Sequence, residues 1–335
     1  MSAIVIGESL IEVLKNGDEP PIQRPCGSMY NTAVALANLG RHTRFVTDYG
    51  TDTDGKAIHE SLEHKGIHEV LLPDDKRDKL TTRAYVDMAD LHNIHLENIH
   101  WNIPEAPTSP ADKLDISIFA PCVTAFGSLA CHVSPGNTRT IEWINELHEY
   151  SLIFYGPSTQ NLGNTLTTSP EQVESCVQLA DVVRISENDL FAIYGENIDF
   201  DALAHRWLEL GTSIIAITHS GEGSVLYSCS GHRVNIPAQN THIVDTFGAG
   251  DSYLAALMDG VINSNLGRAE HRKELANISE PTLRMLGVYA TMAASLTIGR
   301  AGPHPPMRQE LMDLYQTYLT NPILASHSIG TDNKN

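Results

Sequence analysis

"VDTFGAGDSYLAAL", Val244 to Leu257, places Gly248, Ala249 and Gly250 directly before an aspartate and an apolar helical repeat. Upstream, "HIV" is a short β-branched run that predicts a strand. Downstream, Leu254, Leu257, Met258 and Val261 recur at the spacing of one helix face. The stretch therefore reads as a strand-to-helix turn. At such a turn the first amides have no intrahelical partner, the helix dipole is positive, and small residues let the backbone close on an anion. Asp251 would repel a bound phosphate unless it has a task of its own. A general base has one: a hydroxyl between Asp251 and the amides could lose its proton while the amides stabilise charge on a transferring phosphoryl group. An acidic helix cap in a glycine-rich turn is the plainer alternative.

The 335 residues suffice for one large α/β domain or two smaller ones, and 41% hydrophobic with 19% charged residues is ordinary for a globular chain. Twenty-two Lys and Arg against 41 Asp and Glu give a net charge of -19, which argues against a nucleic-acid surface. Such a chain can hold a polyphosphate only by local means: helix ends, a few basic groups and a metal ion. The 5 cysteines show no C-x-x-C spacing and read as reduced thiols. The start "MSAIVIGESLIEVL" reads as a strand with an acidic end and lacks a basic leader, and no apolar run reaches the length of a membrane span. The expectation is a cytoplasmic protein with no membrane partner.

Strand-like runs ("AIVIG", "TRFVTDYG", "SLIFYGP", "DVVRIS", "SIIAIT") alternate with helical ones ("YNTAVALANLG", "GKAIHESLEHKG", "RTIEWINELHEY", "DALAHRWLELG"). This alternation predicts an α/β fold with a mostly parallel sheet covered by helices on both faces. "EVLKNGDEPPIQRPCG" and "TTRAYVDMADLHNIHLENIHW" break the rhythm with short half-exposed strands. They predict a small separate sheet, a lid formed by about residues 12–25 and 80–105, within one domain over 1–325 and ahead of a loose polar tail at 326–335.

Several motifs are near misses. "GTDTDGKA", Gly50 to Ala57, nearly fits a P-loop, but Ala57 replaces the hydroxyl that binds magnesium, and Asp52 and Asp54 stand where phosphates would lie. A calcium loop fails there too, so the segment reads as a structural turn. "GAGDSY" is no dinucleotide fingerprint, since Tyr253 occupies the third glycine position. His92, His95 and His100 lack a supporting cysteine or H-x-x-x-H pair and read as a solvated lid face rather than a zinc site. In "GSMYNTAVALANLG", Gly27, Ser28 and Asn31 either offer amides and a carboxamide to a polyhydroxylated ligand or simply start a helix. "ITHSGEGS", Ile217 to Ser224, wraps nucleotide phosphates or forms a hairpin.

Taken in order, these motifs resemble the ribokinase-like, or PfkB, family of carbohydrate kinases over nearly the whole chain. "VDTFGAGDSYLAAL" is similar to the family's most specific signature. "CGSMYNTAVALANLG" followed by Gly50, Asp52 and Gly55 is similar to its N-terminal one, and "FGS" at Phe126 to Ser128, "ADVVRISENDL", "ITHSGEG" and "AASLTIGRAGPHPPMRQEL" fall in the family's order. "YNTAVALANLG", "TTRAYV" and "GRAGPHPP" look most like bacterial fructokinases. The resemblance implies a three-layer α/β/α doubly wound sheet with a β-lid, and ATP-dependent phosphorylation of a sugar's primary hydroxyl, with fructose to fructose 6-phosphate first. It implies Asp251 as base and Gly248, Ala249 and Gly250 as anion hole. It further implies Glu12, Gly27, Ser28 and Asn31 on the sugar, and Thr218, Ser220, Gly223, Gly248 and Gly250 on ATP. Asp189, with Ser186, falls on the motif that organises Mg²⁺ through water. A K⁺ site near Asp245 and a homodimer through the lid are also implied.

The chain departs from the family pattern at three places. Glu12 stands for the usual aspartate, Cys26 for the first of two glycines, and "YGPSTQ", Tyr155 to Gln160, keeps only Pro157 of a D-P-N-x-R segment. These departures leave open a kinase for 2-keto-3-deoxygluconate or ribose, or a sugar- or nucleotide-binding protein of the same fold with little catalysis.

Overall fold

The computed structural model describes residues 1–87, 90–106, 121–159 and 168–320, the side chains of 90–93 excepted; the 326–335 tail lies outside them. The strands are β1 (Ser2–Ile6), β2 (Leu10–Lys15), β3 (Ile22–Cys26), β4 (His42–Val46), β5 (His68–Val70), β6 (Arg83–Asp87), β7 (Asp90–Glu97), β8 (Pro121–Gly127), β9 (Leu152–Gly156), β10 (Val182–Ser186), β11 (Ile214–Thr218), β12 (Gly223–Ser228) and β13 (Arg233–Pro237). The helices are α1 (Ser28–Asn38), α2 (Thr53–His64), α3 (Gly136–Leu147), α4 (Pro170–Val177), α5 (Glu187–Tyr194), α6 (Phe200–Glu209), α7 (Ala249–Asn263), α8 (Arg272–Ala276), α9 (Glu280–Ile298) and α10 (Arg308–Thr320).

Nine strands form one sheet in the order β13-β12-β11-β10-β9-β8-β1-β4-β5, parallel from β5 to β11 and closed by an antiparallel edge, β12 and β13. Its central strands are buried on both faces, as a helix-covered parallel sheet requires. Ala3, Val5, Val182 and Ala216 join the core under α1, α7 and α9. Their neighbours Ile4, Ile6, Val183 and Ile217 join the opposite core under α3 to α6. From β1 the chain first runs outward to β4 and β5, then returns to β8 and builds the other half. The strand order therefore reverses between β1 and β8, and in open α/β sheets ligands bind beyond the strand C-termini at that reversal.

A second sheet, ordered β3-β2-β6-β7, holds the two rhythm-breaking segments. Ala84 and Val86 of β6 are buried while Arg83 and Tyr85 are only partly so, the alternation of a sheet with one covered face. The near-miss loop fastens this sheet to the body. Asp52 caps α2 through the Gly55 amide at 2.9 Å and also takes the Thr81 amide at 2.9 Å and the Thr81 hydroxyl at 2.6 Å. Asp54 pairs with both Nε and Nη2 of Arg83. These two aspartates tie the small sheet to the body, which explains why they stand where a phosphate loop would forbid them.

Two local expectations are corrected. "HIV" forms no strand: Ile243 and Val244 are exposed, and the Val244 amide binds the Ile298 carbonyl at the end of α9 at 2.8 Å. β-branched residues favour extended backbone, but a strand also needs a neighbour to pair with, and β13 has already ended at Pro237. His100 is no solvated lid residue either. It bonds Asp48 and the Leu80 carbonyl, while Lys79 and the Asn102 amide donate to the same Oδ2 of the buried Asp48 carboxylate at 2.7 Å each. Burial pushes the Asp48 carboxyl up, but His100 and Lys79 outweigh it and hold it below the usual range. His95 is exposed, and the His92 side chain lies outside those described.

Candidate active site

The apolar face of α7 predicted from the opening stretch is observed, with Leu254, Leu257, Met258 and Val261 all buried. Gly248 is the N-cap, in left-handed backbone at φ 74°, and a Cβ there would meet Pro303 at 2.6 Å. Glycine is therefore required on two counts, conformation and space. Ala249, Gly250 and Asp251 form the first turn, whose amides lack helical acceptors.

Asp251 is 8% exposed and faces the first turn of α1, 220 residues away in sequence. Its Oδ1 accepts from Ser28 Oγ at 2.7 Å and its Oδ2 from Asn31 Nδ2 at 2.8 Å. Burial raises the Asp251 carboxyl above its ordinary range, and the bonds from Ser28 and Asn31, with Arg184 nearby, pull it back. An ionised carboxylate has about four acceptor sites, so two remain for another donor. Ser28 and Asn31 thus meet the proposed base directly, as well as lining the cleft in front of it.

That cleft lies at the strand-order reversal, between the end of β1, the end of β8 and the inner face of the small sheet. Glu8, Glu12, Gly27, Ser28, Asn31, Ser128, Gly248 and Asp251 supply its polar lining, and Leu10, Ala84, Val86, Ile94, Leu129 and Phe247 its apolar walls. Glu12 lies opposite Arg24 across the β2–β3 pair and accepts from its Nε at 2.7 Å. Burial raises the Glu12 carboxyl despite that guanidinium. Cys26 packs near Asn31, its thiol pushed well above the usual range by burial. Gly27, the N-cap of α1 at φ 129°, sits so close to Glu8 that a Cβ would lie 2.6 Å from the Glu8 carbonyl.

Glu8 is the functional-site residue that motif reasoning passed over. It is 4% exposed, and its Oε1 accepts the Ser28 amide at 2.7 Å, fixing the turn whose hydroxyl holds Asp251. Its signal was the acidic end of the first strand, which becomes meaningful once β1 is known to flank the reversal. Burial pushes its carboxyl up to about 7, against the pull of backbone amides and the Ser128 hydroxyl. Between its ordinary 4.5 and about 7 the folded protein keeps a proton that the unfolded chain has released. This contribution to stability is complete below the lower value and is lost as pH rises through the upper one. In Glu8→Gln, urea-unfolding free energy should fall less steeply than wild type between pH 4.5 and about 7. Parallel slopes would show that Glu8 is not buried as a proton carrier.

The remaining predicted residues gather beyond α7. Thr218 ends β11, and its hydroxyl accepts from Arg184 Nη2 at 2.8 Å. Ser220 has φ 42°, a left-handed conformation that glycine adopts at less cost than serine. "ITHSGEGS" is a tight antiparallel connection to β12, in which a Cβ on Gly223 would fall 2.1 Å from the Ile236 carbonyl. Asp189 is 4% exposed in the first turn of α5, accepting hydrogen bonds from the hydroxyls of Ser186 at 2.5 Å and Thr159 at 3.0 Å. Thr159 belongs to the altered "YGPSTQ" segment, whose Gln160 lies outside the described residues; Tyr155 is fully buried and stacked on Phe126. Asp245 accepts the amides of Phe247 at 2.9 Å and Gly302 at 2.7 Å, tying the glycine turn to the loop after α9. Among the described residues no three His, Cys, Asp or Glu side chains converge as a metal cage. A magnesium ion that keeps most of its waters and rides on phosphates needs only one or two carboxylates, and Asp189 fits that demand. No helix among the described residues is long and apolar enough to cross a membrane.

A family model described as pfkB family carbohydrate kinase matches residues 14–310. A fructokinase of Rhizobium leguminosarum bv. trifolii is 25% identical over 287 residues, 83% of this chain and 84% of its own. A 5-dehydro-2-deoxygluconokinase of Geobacillus kaustophilus is 25% identical over 277 residues, 78% of this chain and 81% of its own. Among solved structures, the fructokinase of Xylella fastidiosa with bound ATP superposes with a TM-score of 0.78 at 18% identity, covering 95% of this chain and 99% of that one.

Proposed function

Since the chain belongs to the pfkB family of carbohydrate kinases, we propose that it transfers the γ-phosphoryl group of ATP to the primary hydroxyl of a sugar, with fructose the first candidate. One observation carries this reading: a buried carboxylate, Asp251, stands in the first turn of α7 beside amides that have no intrahelical acceptor and faces the cleft at the strand-order reversal. Asp251 takes the proton of the attacking hydroxyl. The amides of Gly248, Ala249 and Gly250 bind the transferring group, and Ser28 and Asn31 orient the base and then share the sugar's hydroxyls with Glu12 and Gly27. The strand ends carrying Thr218, Ser220 and Gly223 receive the nucleotide. Asp189 would hold Mg²⁺, which would supply charge neutralisation to the phosphates. A K⁺ ion would sit by the loop that Asp245 ties down. The exposed edges β3 and β7 of the small sheet are the surfaces for a homodimer through the lid.

The acceptor is tested by ADP release from MgATP with fructose, ribose, glucose, 2-keto-3-deoxygluconate and 5-dehydro-2-deoxygluconate. The keto-acid arms are included because a relative of equal identity is a 5-dehydro-2-deoxygluconokinase. Turnover best on fructose is the expected result. Turnover confined to a keto acid or ribose overturns fructose but keeps the kinase. Silence on every acceptor, with ATP still bound in calorimetry, makes the protein a binder of the same fold.

A further inference from the structure

The cleft is lined by three carboxyl groups, Glu8, Glu12 and Asp251, on a chain of net charge -19, yet the proposed reaction brings the negatively charged triphosphate of ATP to it. A cation fixed on the phosphate side would offset that repulsion. Arg184, the middle residue of β10, occupies this place. Strand alternation turns Val183 and Ile185 into one core and leaves Val182 and Arg184 on the face covered by α7. The guanidinium then reaches the head of that helix. A Cβ on Gly250 would lie 2.4 Å from Arg184 Nη2 and 2.5 Å from its Cζ and Nη1, so the plane of the group lies against the glycine.

Among the described residues Arg184 has one hydrogen-bond partner for its five N–H donors, the Thr218 hydroxyl, and its Nε is buried with none. It forms no ion pair among them, unlike Arg24, Arg41, Arg83 and Arg272, each of which holds a carboxylate. A guanidinium and the positive end of a helix repel each other, and burying part of the charge adds to the cost. Their convergence is accounted for if both face one anion.

Resting on the kinase reading, we propose that Arg184 is a further catalytic residue, whose fork donates to the oxygens of the transferring phosphoryl group from the strand side while the α7 amides bind it from the helix side. The bond between the γ-phosphorus and the bridging oxygen breaks, and its electron pair leaves on ADP. A bond forms from phosphorus to the acceptor oxygen, whose proton passes to Asp251. Arg184 keeps its own protons throughout. Gly250 is then a glycine for two reasons, because any side chain would displace the guanidinium as well as the phosphate.

The test compares wild type, Arg184→Gln and Arg184→Lys in steady-state kinetics, in thermal unfolding, and in calorimetry with ADP alone and with ADP plus fluoroaluminate and the best acceptor. Arg184→Gln should lower kcat by about 10²- to 10³-fold. Affinity for ADP alone should change by less than about threefold, while ADP with fluoroaluminate is no longer favoured over ADP. Arg184→Lys keeps the charge without the fork and should recover part of both losses. Unchanged kcat in Arg184→Gln, or an equal loss of ADP and ADP–fluoroaluminate binding with a lowered unfolding temperature, would overturn the assignment and leave Arg184 a prop for Gly250. If Arg184→Gln fails to fold, Arg184→Lys decides alone: full fluoroaluminate preference overturns the assignment, and a reduced one supports it. A wild type that turns over no acceptor strikes at the kinase reading instead, a separate outcome.

Discussion

Asp251→Asn should fold as wild type does, bind ATP with near-normal affinity and lose about 10²- to 10⁴-fold in kcat on the best acceptor. The amide matches the carboxylate in size, and its oxygen can still accept from either Ser28 or Asn31. What it cannot do is receive the acceptor's proton. In the wild type the rate should fall on the acid side as Asp251 is protonated, with a midpoint above the usual carboxylate range because burial raises that group. Glu8, itself pushed up to about 7, stands one peptide away through Ser28, so the acid limb belongs to a coupled pair. Glu8→Gln should simplify the limb without abolishing turnover. A folded Asp251→Asn that retains full kcat would remove the base from the mechanism and leave Asp251 as a cap on α7.

The helix after "GAGD" was legible because its periodicity and its glycines act locally. Leu254, Leu257, Met258 and Val261 point one way whatever lies around them, and Gly248 needs its positive φ in any context. The alternating strands and the small sheet were legible for the same reason. "HIV" was misread because local propensity cannot report whether a partner strand exists. The site itself was legible only in part. Nothing in spacing shows that Ser28 and Asn31 meet a carboxylate more than 200 residues away, nor that Glu12 meets Arg24 across a strand pair. Those contacts follow from strand order. Once the reversal between β1 and β8 is known, Glu8 and Ser128 become site residues by position alone, and so does an arginine two residues before Ser186 that no motif singled out.

The same dependence on distant contacts governs the stability of the site. Ser28 and Asn31 belong to α1 and Asp251 to α7, so their 2.7 and 2.8 Å bonds persist only while the two helices keep their register. Asp259 reinforces that register, alongside the apolar core the two helices share. It is fully buried two turns along α7, and its Oδ1 accepts from Arg41, just beyond α1, at 2.5 Å and from Arg308 of α10 at 3.1 Å. Its Oδ2 accepts from Tyr289 of α9 at 2.8 Å and Asn263 at 2.8 Å. Removing the carboxylate leaves the largely buried Arg41 side chain without its counter-charge, the costly way to break such a pair. Asp259→Ala should therefore lose about 3–5 kcal/mol in urea unfolding, among the largest effects expected of any single substitution in this chain. Asp259 touches neither the cleft nor the α7 amides, so at temperatures where the variant stays folded its kcat should remain within about threefold of wild type, the reverse of the Asp251→Asn pattern. A loss below about 1 kcal/mol would mean that water reaches Arg41 and that the apolar contacts between α1 and α7 hold the register without it.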